Sequence, residues 1–223
     1  MLSTKTEQYA RFSYAQEGED LALLRYFRKR SKGFYVDVGA HHPLRFSNTW
    51  AFYQQGWNGI NIDPLPGTLA AFSELRPRDI TLEIGISDEP GELTYHLFNE
   101  PAYNTFSYAA AQLARDKGAR TIGTMTVPVK TLTSILDQHV PAGKHIDLMT
   151  IDVEGFDEAV TRSLDFSRYR PEVLVVEIMD ADLEEVIASK LYKLLRDQGY
   201  RVYAKTGNSL ILIDKFLVHD REN

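Results

Sequence analysis

The 223-residue chain contains no cysteine, which excludes disulfides and thiolate metal sites and suits a reducing compartment. It has no run approaching the roughly 20 apolar residues of a membrane helix. The opening Met1 to Ser13 is polar and lacks the apolar stretch of a secretory signal, so the expected location is cytoplasmic with no membrane span. Positive charge is in deficit: 25 Lys and Arg stand against 31 Asp and Glu, a formal net charge of -6. Phosphate backbones are usually met by a concentrated basic face, so a nucleic-acid partner is not expected. Internal repeats and low-complexity tracts are also absent. What is present is ordinary globular usage, 43% hydrophobic and 25% charged, enough for a substantial core.

Along the chain, periodicity alternates between helix and strand. Glu19 to Arg30 carries Leu21, Leu23, Leu24 and Phe27 on a helical spacing, and Phe34 to Val38 reads as a buried strand ending at Gly39. Ser47 to Gln55 predicts a short helix, Gly59 to Asp63 a second strand stopped by Pro64, and Leu65 to Leu75 another helix. Ile80 to Ile86 predicts a third strand and Gly91 to Phe98 an extended segment. Residues 99–125 blur into polar and small residues with one helix, Tyr108 to Lys117, and read as an insertion. Regularity returns with Thr126 to Val129, a helix Leu132 to His139, a strand Ile146 to Ile151, a helix Phe156 to Leu164 and a strand Val173 to Ile178. One long helix, Asp182 to Gln198, is expected to end at Gly199, and Tyr200 to Ala204 with Ser209 to Ile213 to form an antiparallel edge hairpin.

This order predicts an α/β fold: one doubly wound domain over residues 1–223, with a mostly parallel sheet and an N-terminal helical extension over 1–32. Such sheets bind ligands beyond the carboxyl ends of their strands, so the strand ends carry the functional question.

Strand one ends in Asp37-Val38-Gly39-Ala40-His41-His42, with one glycine in place of the Gly-x-Gly-x-x-Gly that a pyrophosphate needs. A nucleoside without phosphates needs less. Asp37 could hold an ammonium, and Asp63, at the end of strand two, could accept both ribose hydroxyls. Either acid could instead serve as a helix cap or an ordinary strand-end residue. Later strands end in Asp152-Val153-Glu154-Gly155 and in Glu177. Parallel neighbours would bring Asp152 and Glu177 to one rim, where unpaired carboxylates imply a cation or a proton-transfer role. The alternative is that Asp152 and Glu154 cap the next helix and Glu177 pairs with an arginine. His41 and His42 are candidate bases, or turn residues before Pro43. His96, His139, His145 and His219 show no convergent carboxylate or spacing pattern that defines a metal site.

Taken together, several segments resemble the FkbM-type methyltransferases, which transfer a methyl group from S-adenosylmethionine to hydroxyls of sugars, glycans and polyketide products. These segments are Ser13-Tyr14-Ala15-Gln16-Glu17-Gly18-Glu19-Asp20, Val36 to Pro43, Ser47-Asn48-Thr49 and Gly56 to Pro64. Arg76-Pro77-Arg78-Asp79, Ile151 to Gly155 and Arg170-Pro171-Glu172-Val173 extend the similarity. His41 stands where asparagine is common and Asp63 where glutamate is common. The resemblance implies a Rossmann-like class I methyltransferase fold. It also implies a cofactor pocket lined by Gln16, Asp37, Gly39, Ala40 and Asp63, with Ser47, Asn48 and Thr49 close to the loop and Asp79 and Ser87 approaching adenine.

The resulting expectation is an S-adenosylmethionine-dependent O-methyltransferase acting on a small-molecule or glycan acceptor. The acceptor hydroxyl would be activated by Mg2+ or Mn2+ on Asp152, Glu154 and Glu177, or by His42 as base. Residues 99–125 are expected to shape the acceptor site. A nicotinamide-dependent oxidoreductase and a non-catalytic nucleoside-binding protein are the alternatives, and the oligomeric state is left open.

Overall fold

The computed structural model describes residues 9–217; residues 1–8 of the expected N-terminal extension and His219 lie outside them. Strands β1 (Phe34–Val38), β7 (Leu148–Ile151) and β8 (Val173–Glu177) are apolar almost throughout because helices cover both faces of a parallel sheet. With β2 (Asn58–Asp63), β3 (Ile80–Glu83), β9 (Tyr200–Lys205) and β10 (Ser209–Asp214) they form one seven-stranded sheet, ordered β3-β2-β1-β7-β8-β10-β9. The first five of these are parallel, and β10 runs antiparallel to both β8 and β9, which is the expected edge hairpin. One apolar layer packs Phe34, Val36, Ile60, Leu136 and Met149, and the other packs Leu23, Phe27, Tyr35, Phe52 and Trp57.

Helix α1 (Glu19–Tyr26) stops short of the predicted Arg30 but buries Leu23 as its spacing requires. Helix α2 is only Trp50–Gln54; Ser47 Oγ accepts from Trp50 N at its start, and Thr49 Oγ1 donates to Asp37. Helix α3 (Thr68–Leu75) begins after Gly67, whose φ of 93° ends the preceding turn.

Three expectations are corrected. Ile80 to Ile86 is not one strand: the chain leaves the main sheet at Ile84, and β4 (Gly85–Ile86) pairs with β6 (Thr121–Lys130) in a second sheet, ordered β4-β6-β5, where β5 is Gly91–Phe98. The segment 99–125 is more regular than its composition suggests. It holds the start of β6 as well as helix α4 (Tyr108–Asp116), and β6 keeps one face in water, which makes it read as polar. Between helix α5 (Leu132–His139) or α6 (Asp157–Arg162) and the C-terminal strands, the predicted long helix divides into α7 (Leu183–Ala188) and α8 (Lys190–Asp197). Ser189 breaks it with ψ 152° and caps α8 by accepting from Tyr192 N, the competition with helix expected of serine. Among the described residues no helix is long and apolar enough to cross a membrane.

Chain order reverses between β1 and β7, so the loops after these strands diverge at their carboxyl ends.

Candidate active site

That divergence opens a cleft at the strand ends. The main sheet contributes Gly39, His41, Asp63, Asp152 and Glu154, the second sheet side contributes Tyr95, Asn104 and Phe106, and Gln16 reaches in from the N-terminal segment. Gly39 has φ 83°, and a Cβ there would lie 1.7 Å from the Asp152 carbonyl oxygen, so only glycine lets the β1 and β7 loops pass this closely. Gly39 N and Ala40 N both donate to Ile62 O, which ties the β1 loop to β2.

Asp63 lies on the cleft wall and also orders its rim. Its Oδ2 accepts from His41 N at 2.9 Å and its Oδ1 from Leu65 N at 2.8 Å. Burial raises its pKa from the ordinary aspartate value, and these two bonds, with Thr68 Oγ1, oppose the rise. His41 has φ 50°, a left-handed conformation that asparagine and histidine tolerate better than most residues, which explains why either fits this position. Burial lowers the His41 pKa.

Asp37, Thr49, Ser47 and Asp79 are brought together, but in a buried network behind the cleft rather than on its wall. Thr49 Oγ1 donates to Asp37 Oδ2 at 2.6 Å, and Ser47 Oγ accepts from Trp50 N. Arg76, 1% exposed, donates to Tyr35 OH, Thr49 Oγ1 and Asp79. Asp79 also accepts from Gly59 N, Asn61 Nδ2 and Tyr35 OH, so both its oxygens are engaged away from the cleft. Desolvation pushes Asp37 up to about 6, against the pull of Thr49 and Arg76. Ser87 is buried, donates to Asp88 Oδ1 and is not part of the cleft lining.

Asp152, Glu154 and Glu177 converge, each offering an oxygen within 4.8 Å of the others. Burial raises all three pKa values: Asp152 to about 7, Glu154 to about 8, and Glu177 furthest, with the neighbouring carboxylates adding to each rise. Glu177 Oε2 is buried without a hydrogen-bond partner. Neither alternative reading of these acids holds locally. Helix α6 is anchored instead by Asp157, which accepts from Val153 N and Gly155 N, and none of the ion pairs found among the described residues involves Asp152, Glu154 or Glu177. Asp157 was not legible as a site residue, because its role depends on the turn at Glu154 (φ 52°) and Gly155 (φ 81°). Asn104, Phe106 and Tyr95 are not legible for a similar reason: Tyr95 reaches the cleft from β5, and Asn104 and Phe106 from the loop that follows it, which only the tertiary fold brings there.

His42 is not on the cleft wall. Its Nδ1 accepts from Leu44 N and Arg45 N, at 3.1 and 3.0 Å, so the neutral ring carries its proton on Nε2 and the remaining lone pair is already engaged. His145 does meet carboxylates, contrary to expectation: it lies 4.0 Å from Glu172 and groups with Asp147 near the amino ends of β7 and β8. There Arg30 already pairs with both acids.

The chain after Gly39 runs as a loop to Thr49 and does not enter a helix, so the helix N-terminus that would cradle a pyrophosphate is missing at this strand end. No curated protein matches the chain in a sequence comparison. The model of the methyltransferase FkbM domain matches residues 37–202, from Asp37 on β1 into β9. With most of its length matched, a doubly wound sheet and a cleft at the strand ends, the chain belongs to the FkbM methyltransferase family.

Proposed function

We propose that the protein methylates a hydroxyl of a sugar, glycan or related natural product with S-adenosylmethionine as the donor. The observation that carries this reading is that Asp63, a carboxylate suited to a ribose diol, lines the same cleft as Asp152 and Glu154. The residues present fit the donor. Each Asp63 oxygen takes one backbone N–H and keeps acceptor capacity, and Ile62, Leu65, Ile84 and Ile86 form an apolar wall beside it. When bound, S-adenosylmethionine supplies a methyl carbon whose bond to sulfonium sulfur breaks, with the electron pair left on sulfur, as the acceptor oxygen attacks.

The acidic cluster fits a hard divalent cation such as Mg2+ or Mn2+: its donors are all oxygens and Glu177 Oε2 lacks a partner. Asp152 and Glu177 would hold it with help from Glu154, and it would supply a Lewis acid that lowers the pKa of the acceptor hydroxyl. Asp152, at the cleft, is placed to position the acceptor hydroxyl against the donor. The turn locked by Asp157 keeps Asp152 and Glu154 facing the cleft, so alignment is built into the backbone before the reactants arrive.

Calorimetry tests the donor: S-adenosylmethionine and its demethylated product should bind and raise the melting temperature, and nicotinamide dinucleotides should not. Tight dinucleotide binding without S-adenosylmethionine binding would overturn the reading.

A further inference from the structure

Of the residues that line the cleft, Gln16, Phe46 and Pro101 are exposed and so mark its mouth. An ion pair joins two sides of that mouth, one residue outside the lining on each. Arg45, beside Phe46, donates from Nη1 and Nη2 to Oε1 and Oε2 of Glu100, beside Pro101, at 2.9 and 3.0 Å. This is the two-pronged fit of a guanidinium to a carboxylate. The two side chains are 43% and 35% exposed, so the pair lies on the solvent side of the cleft and bridges the loop after β1 to the turn after β5.

The two arms differ in freedom. Glu100 also accepts from Ala102 N at the start of the short helical turn Pro101–Tyr103, and the flanks of that turn are tied by Phe98 N to Asn104 Oδ1 and by Asn99 N to Arg120 O. The loop that carries Arg45 is tied at its ends: Arg76 Nη1 donates to Pro43 O, Ser47 N to Tyr14 O, and Asn48 Nδ2 to Thr150 Oγ1 on β7. Its tip, residues 44–46, has local support only, from Leu44 N and Arg45 N donating to His42 Nδ1. Phe46 has φ 57°, a left-handed conformation that is unfavourable for an aromatic side chain. The Arg45 guanidinium lies 4.1 Å over its ring and the His41 ring stacks on it at 6.3 Å. Such strain persists where surrounding contacts impose it, and it favours movement of the tip once Arg45 lets go. An exposed ion pair contributes little to stability and is screened by salt, so this one breaks and re-forms at modest cost.

We propose that the Arg45–Glu100 pair is a latch across the mouth of the cleft: it opens, by movement of the tip 44–46, to pass the methyl donor in and its demethylated product out, and it closes behind them. The inference rests on the reading of the cleft as the S-adenosylmethionine site and adds the control of exchange. The latch acts on the barrier to exchange and not on the bound state. Breaking it therefore speeds entry and exit together and leaves the dissociation constant nearly unmoved, whereas losing a residue that contacts the donor changes affinity, mostly through the exit rate.

The test measures association and dissociation rates of S-adenosylhomocysteine on the full chain by surface plasmon resonance. Arg45→Ala and Glu100→Gln should each raise both rates about three-fold, with Kd moved by less than about two-fold. The double variant Arg45→Glu with Glu100→Arg should return the rates to those of the parent. Added salt should speed exchange in the parent and not in Arg45→Ala. Because the chain has no cysteine, Arg45→Cys with Glu100→Cys can be joined by a short bismaleimide, and the joined form should exchange S-adenosylhomocysteine at least about ten-fold more slowly than the unjoined one. Arg168→Ala, which removes the exposed pair with Asp137 on α5, should change neither rate. Equal exchange in the joined and unjoined forms, or a rise in dissociation alone in Arg45→Ala, overturns the latch. If the parent binds neither S-adenosylhomocysteine nor S-adenosylmethionine, the donor reading itself fails, whereas binding whose rates ignore both variants and the cross-link removes the latch alone.

Discussion

Arg76 Nε lies 2.8 Å from Asp79 Oδ2, and solvent reaches neither side chain. Through Thr49 the same guanidinium steadies Asp37, so a pair behind the cleft fixes the 43–49 loop in front of it. Removing one partner of a buried pair strands the other charge, and Asp79→Ala should destabilise the protein by about 3 to 5 kcal/mol. Urea unfolding measures this, and calorimetry well below the melting temperature should find S-adenosylmethionine affinity largely kept. A stable Asp79→Ala that no longer binds the donor would instead put Asp79 against adenine.

Asp63→Ala should weaken S-adenosylmethionine binding by about 1.5 to 3 kcal/mol, the scale for hydrogen bonds to a charged group. Part of the effect will come from the loops, since His41 N and Leu65 N lose their acceptor. Unchanged affinity in a folded variant would reduce Asp63 to a loop anchor.

Asp152→Asn and Glu177→Gln should abolish Mn2+ binding, read by electron paramagnetic resonance, and should abolish turnover. Exhaustive chelation should stop methyl transfer and added Mg2+ restore it, with donor binding unaffected. His42→Ala should keep its activity, because the ring is a turn acceptor. Full transfer after chelation, lost only in His42→Ala, would reverse these roles.

Asp37 gives a pH signature. Its pKa rises from 3.8 to about 6 on folding, chiefly through burial, so protonation favours the native state. The linked stability is fully present below pH 3.8 and is lost as pH rises through about 6. The stability difference between parent and Asp37→Asn, followed by urea midpoints at intervals between pH 4 and 7, should therefore move against the parent over that window. A flat difference would mean that Asp37 stays ionised throughout.

Much of the architecture was legible in the residues because it depends on local pattern. The run Phe34 to Val38, apolar but for Asp37, reads as a buried strand, and the acids that stop the runs at Asp63, Asp152 and Glu177 fall at strand ends whichever partners those strands find. Parallel pairing of β7 with β8 then brings the last two acids to one rim, as expected. Tertiary structure alone decided which side chains share a space. It drew Asp79 into the Arg76 network, turned the His42 ring onto the backbone, split the strand at Ile84 to begin a second sheet and left Asn48 Oδ1 without a donor. Each outcome depends on contacts between residues far apart in the chain, and a periodicity that repeats over two to four residues carries no information about them.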